Sequence, residues 1–436
     1  MIRRGKSLSG GEKPPVALRY GRGSFPLPEG TFRQVDMLAA KLPLLPPSEE
    51  RHLARRMARP IGALPLSRLV QRGDRVAVAI SDVTRYSATD RFLPLLLRET
   101  DAAGVPRERV TLFVARGTHR AMTQSELRET IGPEIDSGLR VVQSDPEGDL
   151  ADLGTTSRGT RVLVSREVME HDRIVLTGTI SFHYFAGFGG GRKALVPGCS
   201  GKETAHQTHF RIFRPDGPGK HPMARSGVLA GNPVHEDIVE AVSKASPTFL
   251  VNTLLTPAKQ TFDMVSGHWQ KAHEEGCAIY AKHYRIRLGR RYPLVLASAG
   301  GFPKDINLIQ SHKAMDNAFH ALEPMGVLVL LSECPDGLGS PTFLPWFRFA
   351  DPDAMERELR RNYQIYGQTA HALLAKARAC RVILVSSLRP EDVETMGMTP
   401  AATLSEALRI AKGMLGELPV PLVMPDAGYV LPDPAA

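Results

Sequence analysis

The sequence predicts an α/β protein of two domains, each a mainly parallel sheet flanked by helices, with the active site in the cleft between them. Three observations carry this. Apolar runs of strand length recur at residues 75–80, 110–115, 173–179, 294–297, 327–331 and 382–386, and near-continuous Val/Ile/Leu runs suit strands covered on both faces. Each run is followed by small and polar residues and then by a helical pattern, the order that winds a parallel sheet and binds ligands beyond the carboxyl ends of its strands. At 436 residues the chain also exceeds one typical core.

The elements follow in order. From Asp90, "RFLPLLLRET" reads as a helix to Gly104, with Pro94 near enough to the start to be tolerated. Thr123 and Glu126 in "TQSE" make a capping box whose helix stops at Gly132-Pro133. Ser200 and Glu203 in "SGKE" predict a second box, opening a helix through about Phe213. Residues 210–232, rich in Pro, Gly and basic side chains, read as a loop or lid. A new strand series begins after "KHYRIRLGRRYP". This divides the chain into an N-terminal cofactor-binding and catalytic domain, 1–284, and a C-terminal substrate-binding domain, 285–414. Residues 415–436 supply a terminal strand that returns to the first domain.

Composition narrows the class. The formal charge is +9, but the basic residues are dispersed and not interleaved with aromatics, so a nucleic-acid partner is not expected and a small anion is. The basic start, "MIRRGKSLSGGEKPP", leads into no apolar stretch and is not a secretory signal. Runs such as "GVLVLL" are too short to span a membrane. The four cysteines lie far apart, without a C-x-x-C pair, which excludes a disulfide scaffold and a zinc ribbon. A cytoplasmic enzyme is expected.

One loop raises a chemical question. "SFHYFAGFGGGRKALVPG", residues 181–198, combines a histidine, five glycines and an Arg-Lys pair directly after an apolar strand. Such loops usually let a backbone approach an anionic ligand. It is not a nucleotide-triphosphate loop, because Ala194 stands where Ser or Thr would follow the lysine. Other strand ends carry polar clusters too. "SDVTRYS" offers Asp82, Thr84 and Arg85, of which Arg85 suits a carboxylate or phosphate. "ARGTHRAMT" offers His119, and the loop offers His183. Two imidazoles at the ends of two strands of one sheet suit proton exchange near neutral pH. "HQTH" puts His206 and His209 on one helical face, which suits a zinc site, a single metal ligand or ordinary packing. In the second domain Asp305 or Asn307 can cap a helix whose Gln310 and Lys313 share a face.

The ordered set "DVTR", "GTHRAMTQSEL" and "HYFAGFGGGRK", with a histidine sixteen residues after the loop lysine, resembles the nickel-dependent lactate racemase family. The resemblance runs from "RYGRG" to at least "GLGSPTFLPW". It implies a nickel-pincer nucleotide, a pyridinium mononucleotide whose two sulfur-bearing arms and ring carbon hold Ni(II), together with proteins that make it. By motif, Lys193 corresponds to the lysine joined to one cofactor arm as a thioamide, and His209 to the histidine that completes the nickel plane. His119 and His183 match the proton donor and acceptor. Asp82, Val83, Thr84 and Arg85 fall in the segment that contacts the cofactor, and Arg85, Gln310 and Lys313 match substrate-binding positions.

The implied reaction is racemisation or epimerisation of a 2-hydroxy acid, its α-hydrogen leaving and returning as hydride while two bases handle the hydroxyl proton. Lactate-acting members carry tyrosine before the glutamine and proline after "DxTR"; this chain has Ile309 and Tyr86. Both changes point to a different side-chain pocket and a substrate other than lactate. Two alternatives remain at this level: a zinc hydrolase using His183, His206 and His209, and a non-catalytic binder of the nickel cofactor or of an anionic metabolite.

Overall fold

The computed structural model describes residues 2–4, 16–349 and 351–434. Most of the basic N-terminal stretch read above lies outside the described residues. The chain forms two compact units. One holds Leu42–Pro215 and Lys220–Lys282; the other holds the chain up to Lys41, Asp216–Gly219 and everything from His283 onward.

The first unit has a six-stranded sheet in the order Thr261–Gly267, Phe249–Leu255, Arg173–Thr179, Val76–Ser81, Val110–Ala115, Arg140–Gln143. All neighbours are parallel except the edge hairpin that pairs Phe249–Leu255 with Thr261–Gly267. The chain enters at Val76–Ser81, winds outward through Val110–Ala115 to Arg140–Gln143, then resumes on the opposite side at Arg173–Thr179. A reversal of this kind opens a crevice at the carboxyl ends of the two central strands. Every side chain of Val110–Ala115 and Phe249–Leu255 is buried, as double coverage of a parallel sheet requires. Phe92, Leu93, Leu96 and Leu97 of the helix Thr89–Ala102 pack on Val78, Ile80, Leu112 and Val114.

The second unit repeats the plan with seven strands: Ile2–Arg4, Asp36–Leu38, Leu422–Met424, Tyr292–Ser298, Leu322–Leu331, Arg381–Val385, Thr399–Ala401. Only Ile2–Arg4 is antiparallel to its neighbour. Helix Leu308–Phe319 follows Tyr292–Ser298, and Asn307 is its cap, its side chain accepting from the Gln310 N–H.

Three expectations change. The segment before Lys41, placed with the first domain, belongs to the second unit. Leu18, Leu27, Phe32 and Val35 are buried beside Leu294, Val327 and Val423, and the buried Asp36 carboxylate accepts from the Tyr292 hydroxyl at 2.9 Å and Arg290 at 3.1 Å. The terminal segment also stays in the second unit: Leu422–Met424 pairs with Tyr292–Ser298 and Leu431–Pro434 with Arg285–Leu288. The Ser200 capping box does not form. That hydroxyl donates to the Pro197 and Gly201 carbonyls at 3.3 and 3.4 Å, and the helix runs over Lys202–Phe210 without a side-chain cap. The Thr123–Glu126 box does form, and its helix, Gln124–Ile131, ends at Gly132 with φ 73°.

Candidate active site

Three adjacent strands of the first unit deliver the polar side chains. Val76–Ser81 ends at Asp82, and its neighbours lead to His119 on one side and His183 on the other. Asp82 is 2% exposed, and its Oδ2 lies 2.5 Å from His119 Nδ1. Thr84 Oγ1 donates to the other oxygen, Oδ1, at 2.7 Å. Burial works to raise the Asp82 carboxyl, yet His119, Arg85 and Thr84 together hold it below the usual carboxylate range. The carboxylate therefore stays ionised, directs the Nδ1–H of His119 toward itself and leaves the lone pair on Nε2. Arg116 fixes the same loop, donating to the carbonyls of His119 at 2.8 Å and Ser144 at 2.7 Å. Val83 turns the other way and packs on the hydrophobic core.

Beyond the neighbouring strand, His183, Lys193 and His209 are all buried. His183 Nε2 lies 2.8 Å from Lys193 Nζ. Phe185 joins the three: its ring is 4.4 Å from the His183 ring, 4.9 Å from that of His209 and 5.3 Å from the Lys193 ammonium. Burial, with Lys193 and other cations nearby, lowers His209 to about 3, so its imidazole is neutral. Its Nδ1–H donates to the Ala205 carbonyl at 2.6 Å, which leaves the Nε2 lone pair for a metal. The Arg85 charge helps to lower the pKa of both Asp82 and His209.

The glycine loop has a different rationale from the one its composition suggests. A Cβ on Gly187, where φ is 76°, would lie 1.9 Å from the Val228 carbonyl oxygen, and one on Gly190, where φ is 108°, 2.9 Å from Ile180. These glycines are required by the protein's own close packing. Arg192 likewise is not an anion ligand. It is 1% exposed and donates to the carbonyls of Ala186, Phe188 and Gly189 and, at 2.6 Å, to His273 Nε2. His273, held neutral by burial and by Arg192, accepts that bond. Asn252, buried within Phe249–Leu255, takes the Gly191 N–H at 2.8 Å. Arg192 and Asn252 thus fix the loop that carries Lys193. Sequence reasoning missed Asn252, Phe185 and His273; the one available signal was a lone amide inside the apolar run "FLVNTLL".

Gln310 and Lys313 lie in the other unit, on Leu308–Phe319, where the Lys313 ammonium donates to the Gln310 amide oxygen. Ile309 beside them is buried. Tyr86 is half-buried with Lys259 5.5 Å over its ring, and burial and Asp90 raise its phenol while Arg91 opposes them. Among the described residues no three histidine, cysteine or acidic side chains gather to hold a metal, so His183, His206 and His209 do not make the zinc site considered above.

Two doubly wound units, one with paired imidazoles and a buried amine at a sheet reversal, describe an α/β enzyme. Comparison with known proteins makes this specific. The family description "Lactate racemase N-terminal domain" matches residues 20–218, and "Lactate racemase C-terminal domain" matches 290–431. The chain is 31% identical over 426 residues to lactate racemase of Thermoanaerobacterium thermosaccharolyticum, covering 95% of this chain and 98% of that one. It is 28% identical over 389 residues to lactate racemase of Lactiplantibacillus plantarum, covering 87% and 90%. The structure of the T. thermosaccharolyticum lactate racemase apoprotein superposes with a TM-score of 0.84 at 30% identity, over 96% of this chain and all of that one. A Thermotoga maritima protein shares the fold, with a TM-score of 0.68 at 17% identity over 90% of this chain and all of that one. The chain belongs to the lactate racemase family and is an isomerase.

Proposed function

We propose that this enzyme racemises or epimerises a small 2-hydroxy acid by hydride transfer, using a nickel-pincer nucleotide joined to Lys193 and ligated by His209. The donor set suits that group: a buried primary amine and a neutral imidazole with Nε2 available, the nitrogen donor a square-planar Ni(II) takes beside sulfur and carbon. When bound, the nucleotide supplies an electrophilic acceptor for the substrate's α-hydrogen as hydride. Everything else falls to the chain. His119 and His183 take the hydroxyl proton, one for each face, and return it. Asp82 keeps His119 in the right tautomer and steadies its imidazolium. Arg85, Gln310 and Lys313 bind the carboxylate and polarise the carbonyl.

The observation that carries this reading is the flanking arrangement: His119 on its buried Asp82 at 2.5 Å, and His183 at the end of the strand on the other side. A substrate deuterated at the α-carbon tests it. Hydride transfer keeps the label in the inverted product and gives a primary isotope effect if that transfer limits the rate. Complete washout into solvent points to proton abstraction and ends the proposal.

A further inference from the structure

The contact between His183 Nε2 and Lys193 Nζ has no use in turnover once the amine is joined to the cofactor. Before that, it has one. A lysine with an ordinary pKa of ~10.4 is almost entirely an ammonium near neutral pH, and an ammonium has no lone pair with which to attack carbon. A base within hydrogen-bond reach must remove a proton first. His183 Nε2 stands 2.8 Å from that nitrogen, and both side chains are buried. The ring is also held in place. Tyr184 stacks on it at 5.6 Å with 13° between the planes, and Phe185 meets it edge-on at 4.4 Å. The amine is held as firmly, because its backbone N–H bonds to the Gly190 carbonyl in the loop fixed by Arg192 and Asn252.

We propose that His183 is the general base that activates Lys193 for its own attachment to the cofactor, a role separate from its part in racemisation. The idea rests on the attachment at Lys193 proposed above. His183 takes a proton from the ammonium, and the freed amine adds to the carbonyl carbon of a thiocarboxylate arm. The C–N bond forms and the C–O bond breaks. The oxygen leaves as water, with His183 returning its proton, while sulfur stays on the carbon as the thioamide. One thiocarboxylic acid and one amine give one thioamide and one water, and nothing is oxidised or reduced. The nitrogen then carries no ionisable proton for His183 to hold, and the same imidazole becomes available to the substrate.

The test is the rate at which the purified chain, made without cofactor, gains the adduct mass when mixed with isolated nickel-pincer nucleotide. Intact-mass spectrometry reads the adduct, and nickel retained after gel filtration reads binding separately. H183Q and H183N should retain nickel but form the adduct about 10²-fold more slowly or worse, the usual contribution of a positioned base. H119N should form it at the parent rate, which separates this role from a general loss of catalytic histidines. Adduct formation at the parent rate in both His183 variants overturns the proposal and leaves attachment at Lys193 intact. An adduct that persists in K193A, or parent protein that holds nickel without any mass gain, overturns the attachment itself.

Discussion

Replacing Asp82 with asparagine isolates one interaction. The carboxylate is 2% exposed and sits 2.5 Å from His119 Nδ1. A charge-assisted hydrogen bond of this kind contributes about 1.5–3 kcal/mol, or roughly 10- to 100-fold in the stability of the imidazolium. The amide adds a second fault. Its NH₂ can donate to Nδ1, moving the ring proton to Nε2, the atom that must accept from substrate; loss of the correct tautomer costs up to about 10⁴-fold. Asp82→Asn should therefore lower kcat by about 10²–10⁴ while the protein still binds nickel and gains the Lys193 adduct. Chiral chromatography of the product with intact-mass analysis of the same preparation measures both. Turnover near the parent rate in fully loaded Asp82→Asn would refute the assignment of His119 as an Asp-directed base. The same carboxylate predicts a pH effect. Because its folded pKa is depressed, its contribution to stability is complete above the unfolded value of ~3.9 and is lost as pH falls through the lower folded value. Acid unfolding of Asp82→Asn should therefore begin at a higher pH than that of the parent, and the stability gap between the two should close as pH falls through the folded value of Asp82.

Two further outcomes follow from the site. His209→Ala should lower bound nickel while His206→Ala largely retains it, as metal analysis after gel filtration would show; the opposite pattern would assign the ligand to the other histidine. Ile309, buried beside Gln310, should favour a 2-hydroxy acid other than lactate. Racemisation assays across lactate, malate, aromatic hydroxy acids and sugar acids decide this, and lactate as the clear best substrate would count against it.

The buried parallel strands were legible because their residues are apolar on both faces, and the Thr123 helix because its cap is local chemistry. What escaped the sequence was set by distant partners. Phe249–Leu255 was hidden because Asn252 interrupts its apolar run, and that amide is there to hold a loop sixty-one residues away. Asp82 stood out as a polar residue at a strand end but not as the partner of His119, since their pairing depends on strand order. Ser200 had the right letters for a cap and lost that role to nearer carbonyls. The glycines of the loop suggested a ligand, whereas Gly187 and Gly190 answer to Val228 and Ile180.

The sheet of the second unit also sets a timetable. Its Asp36–Leu38 strand pairs with Leu422–Met424, which leaves the ribosome nearly four hundred residues later. At about 5–20 residues per second the early strand waits tens of seconds for its neighbour. During that interval the first unit, which lies entirely between Lys41 and His283, is already synthesised. The segments that carry His119, His183 and His209 are therefore complete before this sheet can close, so loss of Leu422–Met424 should leave the edge of Asp36–Leu38 exposed.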